Sequence, residues 1–198
     1  MGESSSFVHL IGRLRSGDMA AAEELVRHYE PVVRRAIRVR MVNPALRRAV
    51  DSVDICQSVM GSFFVRAALG QYDLSSPEQL AGLLIRLARN KVADAARREQ
   101  AGQRDYRRRQ PEGSAVERVA AHDDSPSQAV AGAELLEKFR ERLSPEERRL
   151  AEQRAQGREW DDLAVETGES AEALRKRLAR AVDRVARELG LEEWTDEA

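Results

Sequence analysis

Apolar residues recur at helical spacing in three stretches of the first half of the chain, with polar residues between them. The first predicted helix follows Gly17, and Asp18 is a suitable N-cap for it. We expect Pro31 to disturb this helix locally and Asn43-Pro44 to end it. Its apolar positions are Leu25, Val26, Tyr29, Val32, Val33, Ala36 and Ile37.

Two further amphipathic helices are predicted before residue 102. One runs from about residue 52 to 69, and its apolar stripe consists of Val53, Cys56, Val59, Met60, Phe63 and Phe64. After a polar loop at residues 70–75, Ser76 can cap a helix, Pro77 suits its first position and Gln79 can complete a capping box. The apolar side of that helix consists of Leu80, Leu83, Leu84, Leu87, Ala88, Val92 and Ala95.

The helical periodicity is lost between about residues 102 and 132, where Gly, Gln, Pro, Ser and Asp are frequent. This composition is typical of a flexible linker, with a short helical stretch expected at residues 116–121. Strand-like runs are absent from the sequence. We therefore predict an all-α protein of two small helical domains, at residues 1–105 and 134–198, joined by a linker at residues 106–133.

The second domain is predicted to hold four helices. The first has Leu135, Leu136, Phe139 and Leu143 on one face. A capping box from Ser144 to Glu147 starts the next helix, and Gly157 stops it. A short helix at residues 160–167 and a turn at Gly168 then precede a long helix at residues 171–189. The apolar face of this last helix consists of Leu174, Leu178, Val182, Val185 and Leu189.

Charge is distributed unevenly along the 198 residues, although the net charge is only −1. Residues 86–109 hold nine Arg and Lys against three acids, and residues 175–187 hold six against one. Two basic segments on a nearly neutral chain indicate two separate anion-binding surfaces. Tyr72 precedes the first of them and could stack on an exposed base, although packing is the more common role of such an aromatic residue.

Several classes of function find no support in the residues. Cys56 is the one cysteine, so an intramolecular disulfide is impossible, and we interpret it as a small buried residue. His9, His28 and His122 lack partners at metal-ligand spacing, and we expect no metal and no cofactor. An enzyme is a poor interpretation, because no nucleophile–base pair or phosphate-binding glycine loop is recognisable. No apolar stretch is long enough to insert into a membrane, so a cytoplasmic location is expected.

A short helix, a glycine turn and a longer basic helix form a helix-turn-helix pattern at residues 160–189. Ala164 lets the two helices approach, Gly168 can take a positive φ, and Leu174 can pack back onto the first helix. Ser170, at the start of the second helix, is suited to a phosphate. The alternative is a solvated helix whose arginines serve solubility only. The polar residues expected to project are Glu172, Arg175, Lys176, Arg177 and Arg180.

The order of five motifs resembles that of the extracytoplasmic-function sigma factors. DICQSVM at residues 54–60 and LIRLARNKVAD at residues 84–94 resemble region 2 of that family. LSPEE at residues 143–147, DLA at 162–164 and LRKRLARA at 174–181 resemble region 4. The resemblance covers about residues 17–105 and 134–189. Each motif alone is loose, but their order and spacing are specific.

The resemblance implies a factor that directs core RNA polymerase to promoter DNA. Region 2 would dock on the polymerase through Asp54, Gln57 and Ser58 and would open the minus-10 element. Region 4 would read the minus-35 element through its helix-turn-helix. The implied minus-10 residues are Tyr72, Asp73, Arg86, Asn90, Lys91, Arg97 and Arg98. The implied minus-35 residues are Ser170, Glu172, Arg175, Lys176, Arg177 and Arg180.

Two departures from the family pattern are visible. Ser58 stands where the family usually has a carboxylate, which suggests a Ser/Thr kinase as a partner, since phosphorylation would restore the negative charge. The alternative is that Ser58 is an ordinary exposed residue and that Asp54 suffices for docking. An anti-sigma factor is the alternative to a kinase as a regulatory partner. The last helix also lacks an Asn or Gln for base reading between Ser170 and Arg180. The competing function is a helix-turn-helix regulator without a polymerase role.

Overall fold

The computed structural model describes residues 2–108 and 127–191, and this part of the chain is entirely helical, without strands. The predicted all-α class is therefore confirmed. In chain order, the helices are α1 (Gly2–Arg15), α2 (Met19–Arg40), α3 (Pro44–Ala49), α4 (Ser52–Ala68), α5 (Pro77–Arg108), α6 (Ser127–Arg142), α7 (Pro145–Ala155), α8 (Trp160–Thr167) and α9 (Ala171–Glu188).

Helices α1 to α5, here called the first helical part, pack around one apolar core. Asp18 caps α2 as predicted, and its Oδ1 accepts hydrogen bonds from the N–H groups of Ala20 and Ala21 at 2.9 and 3.3 Å. Helix α2 continues through Pro31, so the expected disturbance did not end the helix. Its buried face repeats every four residues, at Ala21, Leu25, Tyr29, Val33 and Ile37.

The start of the chain differs from the prediction, which placed the first helix after Gly17. Helix α1 precedes it, with Phe7, Ile11 and Leu14 buried in the same core as α2. These three residues lie four and three positions apart, which places them on one side of a helix. The short helix α3 was also not predicted.

Helices α4 and α5 complete this core. Asp51 caps α4 by accepting from the Val53 N–H at 2.8 Å. Phe63 is fully buried and Phe64 packs against the core, which confirms their place on the predicted apolar stripe of this helix. Cys56 is also buried, and burial raises the pKa of its thiol to about 11, so it remains protonated at neutral pH.

The helices on either side of the expected linker are longer than predicted. Helix α5 continues to Arg108, and α6 already begins at Ser127, before the expected domain start at residue 134. The predicted helical stretch at residues 116–121 lies outside the described residues. The boundaries of the two domains remain a prediction.

Helices α6 to α9, here called the second helical part, pack around a second core that includes Phe139, Trp160 and Leu178. The predicted capping box is present, since Ser144 accepts from the Glu147 N–H and Glu147 accepts from the Ser144 N–H. Val65 of α4 and Leu69, the residue directly after α4, also belong to this core. The two helical parts therefore contact each other through the end of α4. No helix in the described ranges is long and apolar enough to cross a membrane.

Candidate nucleic-acid interface

Helices α8 and α9 form the predicted helix-turn-helix. Gly168 ends α8 with a φ of 74°, and its N–H donates to the Ala164 carbonyl oxygen at 3.0 Å. Leu163 and Leu174 are both 1% exposed, so each helix buries a leucine in the shared core. Ser170 caps α9 by accepting from the Ala173 N–H at 3.1 Å. This geometry fixes how α9 presents its polar face.

The outer face of α9 carries exposed residues of both charge signs. Glu172, Lys176 and Arg180 follow one another at spacings of four, so they line one side of the helix. Glu172 and Lys176 pair at 2.6 Å, and Lys176 holds the pKa of the Glu172 carboxyl below its usual range. Arg177 is half-buried and pairs with Glu169, which raises the pKa of its guanidinium.

Helix α5 presents the exposed part of the other predicted basic surface. Arg86, Asn90 and Arg97 are exposed and lie within about 40° of one another around the helix axis, at 100° per residue. Arg98 is also exposed. Lys91 is different, because it is only 7% exposed and its Nζ atom is buried. The structure therefore does not bring Lys91 to the solvent-facing surface on which the sequence analysis placed it.

The loop between α4 and α5 holds Tyr72 and Asp73. The Tyr72 ring stacks on Phe63, with ring centroids 6.1 Å apart and planes 7° apart, and its hydroxyl oxygen is buried. In this arrangement the ring serves packing. Asp73 forms an ion pair with Arg154 and lies 3.8 Å from the Arg175 guanidinium of α9. Residues predicted for two different promoter elements are thus in contact.

The predicted polymerase-docking residues lie on α4. Asp54 and Gln57 are exposed and three positions apart, which puts them on one face of the helix. Ser58 adjoins them and is half-buried. Its Oγ atom is buried and makes no hydrogen bond within the described residues. The face is therefore polar and accessible at Asp54 and Gln57, and less accessible at Ser58.

Three arginines missed by the sequence analysis organise the boundary between the two helical parts. Arg66 and Arg154 are each 1% exposed. Arg15 donates to the Tyr72 carbonyl oxygen at 2.8 Å, and burial together with the nearby Arg154 lowers the pKa of its guanidinium. The available signal was position, because Arg66 lies three residues after Phe63, within an apolar stretch.

Comparison with known protein families finds a match that spans most of the chain. No curated protein and no solved structure matches the chain. The model of the ECF sigma factor family matches residues 4–190 and so spans both helical parts. Members of this family are not enzymes; they act with RNA polymerase in promoter-specific initiation of transcription. The chain therefore belongs to the extracytoplasmic-function sigma factors.

Proposed function

We propose that the outer face of α9 binds the minus-35 element, in the major groove of promoter DNA. The observation that supports this most directly is the helix-turn-helix geometry, with Gly168 at a φ of 74° between two packed helices. Such motifs place the first residues of the second helix against base edges. Lys176 and Arg180 are exposed on this face, and Arg175 and Arg177 flank it.

We assign the minus-10 contacts to α5. Arg86, Asn90 and Arg97 share one exposed side, and Arg98 is exposed about 80–120° further around the helix axis, at 100° per residue. Guanidinium groups at this spacing can follow a phosphate backbone, while Asn90 can accept and donate hydrogen bonds to a base. Tyr72 and Asp73 could join this surface only after their contacts with Phe63 and Arg154 are released.

We also propose that Asp54 and Gln57 bind the polymerase. Both are exposed on α4, opposite the buried Val59 and Phe63. A regulator without a polymerase role is not favoured, because the family match includes this helix as well as the helix-turn-helix. Because its partner is RNA polymerase, we place the factor in the cytoplasm.

Promoter binding tests the assignment of α9. In the complex with core RNA polymerase, Lys176→Ala should weaken promoter binding, because the change removes a cation and leaves Glu172 without its partner. If Lys176 contacts a phosphate, we expect the affinity to fall equally for all DNA sequences and the slope of log affinity against log salt concentration to become shallower by about one. If it contacts a base, we expect a loss of binding free energy of about 1–3 kcal/mol at one base pair. Electrophoretic mobility shifts at several salt concentrations measure both quantities.

The matched control is Arg187→Ala, which removes one exposed cation from the last turn of the same helix. It lies about 16 Å further along α9 than Lys176, at about 1.5 Å per residue. Equal affinity of Lys176→Ala and wild type, or an equal loss in both variants, would contradict the assigned contact surface.

Phosphorylation of Ser58 by a Ser/Thr kinase is a second proposal, made at the docking face. A phosphate would add about −1.5 to −2 charge units next to Asp54 and Gln57. Because the Oγ atom is buried, a kinase would need the side chain to turn outwards first. An anti-sigma factor, the alternative regulatory partner, stays a prediction.

Charge substitution tests the role of Ser58. If the proposal holds, Ser58→Glu binds core polymerase more tightly than wild type, and Ser58→Ala does not respond to a kinase. Ser52→Glu adds the same charge to an exposed position at the start of α4 and serves as the control. Equal polymerase affinity of all these proteins, with and without kinase, would remove the proposal.

A further inference from the structure

The end of α4 is the surface on which the two helical parts meet. Val65 and Leu69 are 5% and 1% exposed, and both belong to the core of the second helical part. Val65 lies on the helix that carries Asp54 and Gln57 at its other end, and Leu69 directly follows that helix. If the second helical part moved away, these two apolar side chains would lose that cover, so apolar burial favours the contact.

A buried ion pair joins the same surfaces. Arg66 of α4 is 1% exposed, and its Nη2 donates to Asp183 Oδ1 of α9 at 2.5 Å. The same guanidinium also donates to Ser62 and Gln71, whose side chains are neutral and lie on the α4 side of the contact. A buried charge is costly unless it is paired, and Asp183 supplies a countercharge from the second helical part.

A second buried arginine extends from the second helical part to the loop that follows α4. Arg154 of α7 is 1% exposed, donates from Nε to the Gly70 carbonyl oxygen at 3.1 Å and pairs with Asp73. A Cβ atom on Gly70 would lie 2.4 Å from the Arg154 Cβ, so a larger residue could not be placed there. Gly70 also has a φ of 72°, which favours glycine at this turn. The fit is therefore close as well as charge-complementary.

The contact brings together residues that promoter DNA would hold far apart. Asp73 and Arg175 are 3.8 Å apart, although they belong to the proposed minus-10 and minus-35 surfaces. The centres of these two elements are separated by about 25 base pairs, on the order of 80 Å at about 3.4 Å per base pair. A compact chain of this length has a radius of gyration of only about 16 Å. One molecule in this arrangement cannot occupy both elements.

We propose that the end of α4 is a binding surface for the second helical part of the same chain, and that this contact keeps the free factor closed and inactive. Val65, Arg66, Leu69 and Gly70 form the surface, and Asp183 and Arg154 are its main polar partners. Opening exposes the surface and frees Asp73 and Arg175. The inhibitory role rests on the proposed function, whereas the contact itself does not.

Two substitutions on opposite sides of the contact test this proposal in the full-length protein. Asp183→Arg places a like charge beside Arg66. Leu69→Asn replaces a buried apolar side chain of the contact with a polar one. Glu152→Arg makes the same charge change as Asp183→Arg at an exposed position of α7 and is the control. Circular dichroism and thermal unfolding establish that each variant is folded. Small-angle scattering gives the radius of gyration, and fluorescence anisotropy gives the affinity for core RNA polymerase.

We expect the wild type to be compact. Both contact variants should have a radius of gyration larger by at least about a quarter and should bind polymerase at least about fivefold more tightly than the wild type. Glu152→Arg should match the wild type in both measurements. An extended wild type, or contact variants as compact as wild type, would overturn the contact. Open variants with unchanged polymerase affinity would overturn the inhibitory role. If no protein binds polymerase although the variants open, the proposed function fails while the contact stands.

Discussion

Replacing Trp160 with alanine should lower the free energy of unfolding of the second helical part by about 3–5 kcal/mol, the usual cost of removing a large buried aromatic side chain. Trp160 is 1% exposed at the start of α8, and the Arg154 guanidinium lies 4.3 Å from the centroid of its ring. Arg175 lies over the same ring at 5.6 Å. The substitution thus leaves a cavity in the core and removes the ring on which two guanidinium groups lie.

Chemical denaturation followed by circular dichroism measures this loss. Val165→Ala, on the same helix, is the control, because Val165 is 87% exposed and its truncation should change stability by no more than about 0.5 kcal/mol. A loss below about 1 kcal/mol for Trp160→Ala would show that the core of the helix-turn-helix does not depend on this ring.

Reversing the charge of Asp54 should give the second large effect, this time on binding. We expect Asp54→Arg to weaken association with core polymerase at least about tenfold, which corresponds to about 1.4 kcal/mol. Asp54 is exposed, so the loss of stability should stay near the few tenths to about 1 kcal/mol that an acid contributes in the first turn of a helix. Equilibrium binding to labelled core polymerase, beside a thermal unfolding curve, separates the two effects.

Glu78→Arg is the matched control for Asp54→Arg. Glu78 is an exposed acid in the first turn of α5, so its reversal carries a similar cost at a helix start. If both variants bind polymerase like the wild type, Asp54 is not part of the docking face. If both lose binding equally, the effect is one of overall charge.

The local signals of the sequence predicted most helix starts, because capping depends on neighbouring residues. Asp18, Ser144 and Ser170 each cap the helix that their position indicated. Helix α1 was missed because its buried residues, Phe7, Ile11 and Leu14, with Leu10 partly buried against the same core, span only about two helical turns. Its stability depends on packing against α2, which no local pattern reports.

The candidate site was less predictable than the fold, because exposure is decided by tertiary packing. Lys91 lies in a basic segment but is buried, and Tyr72 lies in a polar loop but stacks on Phe63. The ion pair between Arg66 and Asp183 joins residues 117 positions apart. Sequence spacing carries no information about such a pair, so the contact between the two helical parts could not be anticipated.

Run-off transcription with purified core RNA polymerase and a promoter library tests whether this chain directs promoter-specific initiation. We expect the wild-type chain to direct transcripts from a subset of promoters that share upstream and downstream elements. Asp54→Arg should reduce the yield from all of them alike, and Lys176→Ala should impair recognition of the upstream element. Promoter-independent background alone, in a reaction where the chain is folded and polymerase is active, would show that the chain does not have the proposed function.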